Sequence, residues 1–507
     1  MNPQLLAILH RQNAQLPPSQ LRDNSLQLLQ SPHARVVVTG QQMGLFGGPL
    51  FTLYKAISAV TAAQQLTAQT GQPHIPLFWL QTEDHDFAEI DHTFVPQTTQ
   101  PPLKIALAES AFSRVPVAHR LLGDSVLAAL DALQAGLANC PHVLETMALL
   151  HQHYRPEVTI AHAFAQTMAA LFADTPLVFF EAHDAELGVL AAPLYRRLLS
   201  ESGQISSILL TRSDELLTSG SEPQVHIRPN APLFFVSPFG ADGPRYRLEP
   251  HEDPGSWTLV GHTFSAQLTT TQLHEMLGQE MLDEALLDEH PIPFTNSALS
   301  RPLLQDFLFP TAAYIGGAAE LKYFAQIEPL FAYLDLPNPR VLLRDRFTLI
   351  DDKHRQLLGE MHCSPQQIRG PQSDLLAELT RRQTQIGLPQ PHDIFKQLDL
   401  TAQLEQLNFQ IGHLDPSLQK AIVRTRDNMH EMLGKLVDKY GKTLAYRDQL
   451  SLEKLQRLRH FVLPHDVPQE RVYAIAWALA RFGQQALMAK LLAASRPFDG
   501  VHQDLFL

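Results

Sequence analysis

The chain has 507 residues, more than one hydrophobic core usually organises, and a hydrophobic content of 45% leaves material for two or three units. A formal net charge of −13 excludes a general nucleic-acid binder, which would have to neutralise many phosphates with Lys and Arg. Cys140 and Cys363 offer neither a disulfide framework nor a CxxC metal site, no stretch reaches the roughly 18 apolar residues of a membrane span, and MNPQLLAILHRQNAQL lacks a signal-peptide pattern, so a cytoplasmic protein is expected.

The first strong element is RVVV, 35–38, which reads as a buried strand. A helix over 49–70 follows, with Leu50, Leu53, Tyr54, Ile57 and Val60 on one face, and IPLFWL, 75–80, is a second buried strand. Strand, helix and strand at this spacing predict a βαβ unit and therefore an α/β fold with a parallel sheet. PLVFFEA (176–182) after a helix at 158–172, SSILL (206–210) after a helix at 184–201, and VLLR (341–344) are expected to extend that sheet.

Two inserts interrupt the pattern. Residues 96–150 open with prolines and threonines and become helical, while 223–290 begins with alternating stretches, QVHIR and LFFV, that suggest antiparallel strands. The expected core therefore spans 1–370, followed by a helical domain at 371–463 and C-terminal helices at 464–507 that pack back on the body. In the helical domain Leu400, Leu404, Leu407, Ile411 and Leu414 form a heptad seam, which resumes after Pro416 through Leu418, Ile422, Thr425, Met429, Met432 and Leu436. Pro416 between the runs favours an antiparallel helical hairpin over one straight coiled coil.

Two stretches carry the chemistry. TGQQMGLFGGPL places Gly40, Gln41, Gln42, Gly44, Gly47 and Gly48 between the first strand and its helix, with Tyr54 and Lys55 one to two turns further on. It is neither a Walker A loop nor GxGxxG, yet a strand, glycine-rich turn and helix in a parallel sheet lie at the carboxyl edge, where helix N–H groups can meet an anion. Phosphate or carboxylate binding is the expectation, against glycines that serve only strand–helix packing. The second stretch, TEDHDFAEIDH at 82–92, sets Glu83, Asp84, His85 and Asp86 at the same edge. Consecutive ionisable groups at the end of a buried strand are costly unless they bind or titrate something. The alternatives are an exposed acidic loop, or a metal cluster of Asp84, His85, Asp86 and His92.

Further candidates lie downstream. Gln224, His226 and Arg228 alternate along a predicted strand, and Arg301 and Gln305 share a helix face at i, i+4. Tyr314, Gly316 and Gly317 make a second strand-end turn into a helix that carries Glu320 in its first turn, either an anion site or a plain helix start.

TGQQMGLFGGPLFTLYKAIS, FWLQTEDHDFAEIDH, EPQVHIR, RPLLQD, TAAYIGGAAELKYFAQ and LPHDVPQERVYAIAWAL together resemble, in order, the cysteine-adding enzymes of bacillithiol biosynthesis, from near residue 35 to the end. The resemblance implies a nucleotide-binding Rossmann-like core with inserted connecting segments and a coiled-coil domain used for homodimerisation. It implies a ligase that joins the cysteine carboxyl to the amine of glucosaminyl-malate, with ATP or ADP as cofactor and Mg²⁺ carried with the nucleotide. On that reading Gly40, Gln41, Gln42, Gly44, Gly47, Gly48, Gly316 and Gly317 hold the nucleotide, and His85, Asp84 and Asp86 are catalytic. Glu83, Lys55, Tyr54, Arg228 and Arg301 bind substrate, the arginines meeting the malate carboxylates, where a planar fork fits best. Two rival readings are a metal-dependent hydrolase built on Asp84, His85 and Asp86, and a nucleotide-binding scaffold that does no chemistry.

Overall fold

The computed structural model describes residues 1–97, 100–108, 115–238, 240, 242–253, 255–261, 265–273, 294–375, 391–398, 400–411, 413–446 and 449–507. Parts of both predicted inserts (98–99, 109–114, 274–293) and of the predicted helical domain (376–390) lie outside the described residues. The chain divides into two units. One comprises Met1–Gln97, Pro102–Phe347 and Glu470–Gln503, the other Thr98–Pro101, Thr348–Gln469 and Asp504–Leu507.

The larger unit starts with helices α1 (Pro3–Ala14) and α2 (Gln20–Leu28), then strand β1 (Arg35–Gln41), helix α3 (Leu50–Thr70) and strand β2 (His74–Leu80). The first insert folds as strands β3 (His92–Val95) and β4 (Leu103–Ala106) and helices α4 (Ser125–Gly136) and α5 (Val143–His153). Helix α6 (Ile160–Leu171), strand β5 (Val178–Glu181) and helices α7 (Ala185–Ser200) and α8 (Ser202–Thr218) follow. The chain then forms strands β6 (Phe234–Val236), β7 (Tyr246–Pro250), β8 (Ser256–Val260), β9 (Ser265–Thr269) and β10 (Phe294–Asn296). Helix α9 (Ser300–Leu308), strand β11 (Thr311–Gly316), helix α10 (Ala318–Tyr333) and strand β12 (Arg340–Leu343) complete the part that shapes the site.

The central sheet has the order β12-β11-β1-β2-β5, and every neighbouring pair is parallel. Three valines at the start of β1 explain why the sheet is covered on both faces. Val36 and Val38 enter one hydrophobic core with Trp79 and Phe180, and Val37 enters a second core with Ala59, Ala62 and Ile315, because successive side chains alternate across a strand. Helix α3 is buried along most of its length from Leu50 to Ala63 and ends at Gly71, whose φ of 70° is the left-handed cap that glycine adopts without penalty. Strand β5 is the sheet edge, and α1 covers it. The Asn13 amide accepts from Phe179 N at 3.1 Å and donates to Phe179 O at 2.7 Å, standing in for a neighbouring strand.

The second sheet, order β10-β6-β7-β8-β9, is antiparallel, as the alternation after 223 suggests. Two expectations are corrected. SSILL is not a strand but lies inside α8, where Ile205 and Leu209 are buried at helical spacing. QVHIR is not a strand either: Val225 is held by the side chain of Gln326, which accepts from Val225 N at 3.2 Å and donates to Val225 O at 2.8 Å.

In the smaller unit, helices α11 (Pro391–Leu398), α12 (Thr401–Ile411) and α13 (Pro416–Tyr446) pack together. The chain turns at Asp415, whose carboxylate accepts from Ser417 N at 2.7 Å, and Pro416 opens α13, where its missing N–H costs nothing. The hairpin is thus formed, with Arg426 of α13 3.7 Å from Glu405 of α12. Among the described residues no helix is long and apolar enough to cross a membrane.

Candidate active site

The carboxyl ends of β11, β1 and β2 border one cleft of about 710 Å³, within the usual range for ligand pockets. The sheet runs from β1 to β2 on one side and to β11 on the other, so the cleft sits at the reversal of strand order where open α/β sheets bind ligands.

Its floor is tied together by Lys55. This side chain is buried, and its Nζ donates to Gly40 O at 2.8 Å and Gln41 Oε1 at 2.9 Å and meets Glu320 Oε2 at 2.5 Å. Glu320 also accepts from Gly317 N at 2.7 Å and from the Tyr314 hydroxyl at 2.5 Å. Burial alone would raise the Glu320 carboxyl, but Lys55 and these donors hold it below its ordinary value. Burial lowers the Lys55 ammonium, and Glu320 opposes that shift. With all three protons of Lys55 committed, the residue joins β1 to α10 and has no donor left for an anion.

Arginines form the opposite wall. Arg301 of α9 is buried, donates to the Tyr323 hydroxyl at 3.0 Å and to Gln305 Oε1 at 3.2 Å, and lies 4.8 Å above the Tyr314 ring. Arg344, just past β12, pairs with Glu470 at 2.8 Å, and both are buried. Arg344 Nε and Glu470 Oε2 are buried without a hydrogen-bond partner among the described residues. Arg471 borders the cleft beside them and is exposed.

The acidic segment supplies titratable groups. Glu83 is buried and accepts from Asn296 Nδ2 at 2.9 Å, while Arg245 donates to Glu83 O and to Asn296 O, each at 2.5 Å. Burial raises the Glu83 carboxyl despite Asn296 and Arg245. Asp84 goes the other way. Burial would raise it, but Arg245 at 3.7 Å, the Gln42 amide at 2.6 Å and the His85 N–H at 2.7 Å hold it below the ordinary carboxylate value. His85 Nδ1 stands 3.7 Å from Asp84 Oδ1, and the ring is edge-on to Phe235 at 6.0 Å. Two adjacent carboxyls pushed apart are the arrangement that lets one hold a proton while the other stays charged.

Of the residues singled out in the sequence, Gln41, Gln42, Lys55, Glu83, Asp84 and His85 border the cleft, as do Arg301, Gly317 and Glu320. Gly40, Gly44, Gly47, Gly48, Tyr54, Asp86, Gly316 and Arg228 do not. The glycine turn is buried, which corrects the expectation that it cradles an anion. Gly47 N donates to the Tyr154 hydroxyl at 3.0 Å, Gly48 N to Leu45 O at 3.0 Å and Gly44 N to Gln42 O at 3.1 Å. Its glycines are explained by crowding: a Cβ on Gly44 would lie 2.6 Å from Gly48 Cα, and one on Gly40 2.9 Å from Trp79 O. Tyr54 is buried against Phe347, Asp86 is exposed, and Arg228 pairs with Glu249 at 3.1 Å. A Cβ on Gly316 would crowd Tyr314 and Glu320 at 3.1 Å. The metal cluster of Asp84, His85, Asp86 and His92 is not assembled: His92 turns to Asp91 at 2.8 Å, and no metal-competent group of three such side chains occurs among the described residues.

Tested against a nucleotide, the glycine turn does not fit, since its amides are used internally. Arg301, Arg344 and Arg471 fit an anion, whether carboxylate or phosphate. Sequence reasoning missed Arg245, Asn296, Arg344, Glu470 and Tyr323. Arg344 was detectable as the residue closing the predicted strand VLLR, and Tyr323 as the i+3 neighbour of Glu320. Arg245, Asn296 and Glu470 come from distant segments with no local signal.

Residues 2–345 match the family described as bacillithiol biosynthesis BshC, N-terminal Rossmann-like domain, and residues 347–507 match bacillithiol biosynthesis BshC, C-terminal coiled-coil domain. The "Putative cysteine ligase BshC" of Koribacter versatilis (strain Ellin345) is 32% identical over 472 residues, covering 89% of this chain and 80% of that protein. The protein of the same name from Chlorobium phaeobacteroides (strain BS1) is 29% identical over 505 residues, covering 95% and 84%. That of Bacillus cytotoxicus is 25% identical over 507 residues, covering 98% and 89%.

Proposed function

Because the chain belongs to the bacillithiol biosynthesis BshC family, we propose that it is a cysteine ligase joining the cysteine carboxyl to the amine of glucosaminyl-malate, the last step of bacillithiol assembly. The observation that carries this reading is the pairing of Glu83 and Asp84, two carboxyls displaced in opposite directions, in a cleft whose other wall is arginine. Asp84, held ionised, suits the cysteine ammonium and orients His85. His85 takes the proton that the attacking amine sheds. Arg301 suits a malate carboxylate.

ATP, with Mg²⁺ carried alongside, would supply the activation that a free carboxylate needs, its phosphates meeting Arg344 and Arg471 rather than the glycine turn. The protein acts in the cytoplasm as a homodimer joined through α12 and α13. Purified protein given L-cysteine, glucosaminyl-malate, ATP and Mg²⁺ is expected to form bacillithiol, detected by mass spectrometry, with nucleotide consumed in proportion. Absence of product, or product formed at an undiminished rate by His85→Asn, overturns the assignment.

A further inference from the structure

The sheet edge has a second hollow on its other face. The pleat turns Trp79, Gln81 and Glu83 toward the cleft and Leu80 and Thr82 away from it. Leu80, its β5 neighbour Glu181, Thr82 and Phe179 wall a separate cavity of about 220 Å³. Gln12 of α1 and Gln15 just after it close it on one side, and the start of α6 closes it through Thr159, Ala161 and His162.

One side of it offers an acidic group and the other the backbone amides of a helix start. Gln12 accepts from Glu181 N and donates to Glu181 O, both at 3.0 Å, which fixes the backbone of Glu181 as a neighbouring strand would. The Glu181 carboxylate itself has no hydrogen-bond partner among the described residues. Burial and the nearby Asp184 push it up to about 7, and Arg11, which opposes them, is committed to Asp184 at 2.9 Å and Glu186 at 3.3 Å. At the other end, the first turn of α6 directs its N–H groups outward. Ile160 N donates to Arg120 O, His162 N to Thr159 Oγ1 and Ala163 N to Thr159 O. Among the described residues the Ala161 amide has no acceptor, and Ala161 lines the cavity. Leu16, Ala118, Ala165 and Phe179 make the remainder apolar. The volume lies below the roughly 300–1,000 Å³ of drug-sized pockets, so the occupant is small.

We propose that this cavity binds a small zwitterion, an α-amino acid with an uncharged side chain, its ammonium on Glu181 and its carboxylate at the first turn of α6. The inference does not rest on the ligase reading of the cleft, and its test does not measure product.

Calorimetric titration of the full-length protein with L-serine decides it. Wild type is expected to bind at millimolar concentration or tighter. Glu181→Gln and, independently, the cavity-filling Ala165→Leu, both folded by circular dichroism, are expected to weaken binding at least tenfold. Acetate, which carries only the anionic half, is expected to bind at least tenfold more weakly than serine. Three results overturn the proposal: no binding by wild type, equal binding of acetate, or loss of binding in Asp84→Asn with Glu181→Gln unaffected, which would put the amino acid in the cleft.

Discussion

Lys55 Nζ lies 2.5 Å from Glu320 Oε2, joining two residues 265 positions apart into one ion pair at the floor of the cleft, the lysine 3% and the glutamate 16% exposed. It fixes the end of β1 against the start of α10 because Lys55 also holds Gly40 O and Gln41 Oε1. Removing one partner leaves an uncompensated buried charge. Lys55→Met is therefore expected to cost about 3–5 kcal/mol in urea unfolding, and the double variant Lys55→Met/Glu320→Gln clearly less. A double-variant loss equal to the sum of the separate Lys55→Met and Glu320→Gln losses would mean that the charges are not coupled.

His85→Asn is expected to lower the rate of bacillithiol formation roughly 10²- to 10⁴-fold with little change in melting temperature, the range for loss of a general acid or base. A loss of under about threefold removes His85 from the chemistry.

Asp306, behind Arg301 on α9, is 5% exposed, and burial pushes its carboxyl up to about 7. A carboxyl that binds its proton more tightly when folded contributes stability that is full below about pH 4 and lost as the pH rises through 7. Asp306→Asn removes that loss. It is expected to be more stable than wild type at pH 8, by on the order of 2–4 kcal/mol, and no more stable at pH 4. Chemical denaturation at the two pH values checks this, and a gain of the same size at both would exclude titration as the cause. Glu181, also near 7, leaves a residual slope in the variant.

Gly47 has a φ of 91°, and a Cβ there would meet Ile475 at 3.4 Å. Gly47→Val is expected to destabilise the fold by about 1–3 kcal/mol because a β-branched residue strains at that backbone angle. Melting temperature reads it directly, and an unchanged value would show that the turn tolerates a side chain.

The seam of α12 and α13 remains open to water within one chain: Leu407 is 40% exposed, Leu414 70% and Met432 70%. Replacing Leu407 and Ile411 by Glu is expected to leave the chain folded and convert a dimer to a monomer in sedimentation at micromolar concentration. A wild-type monomer under those conditions ends the dimer reading.

Local sequence determined the elements whose signal is periodic or punctuated. The three valines of β1, the helix α3 with Leu50, Leu53, Tyr54, Ile57 and Val60 on one face and the break at Pro416 each follow from side-chain period or backbone restriction, quantities that act within a few residues. Such rules also placed the acidic segment at a strand end, next to the turn after β1. SSILL marks their limit, because a short apolar run fits a strand or a buried helix turn equally, and only packing against the body decided for α8. Tertiary structure alone decided which groups face one another. The glycines of the first turn looked like an anion cradle until Tyr154, more than a hundred residues later, took the Gly47 amide. Arg245, Asn296 and Glu470 carry no local mark, yet they set the charge state of Glu83 and Asp84 and the pairing of Arg344. Electrostatics and close packing act through space, so residues remote in sequence contribute as strongly as neighbours, and the cleft chemistry is fixed only once the chain has folded around it.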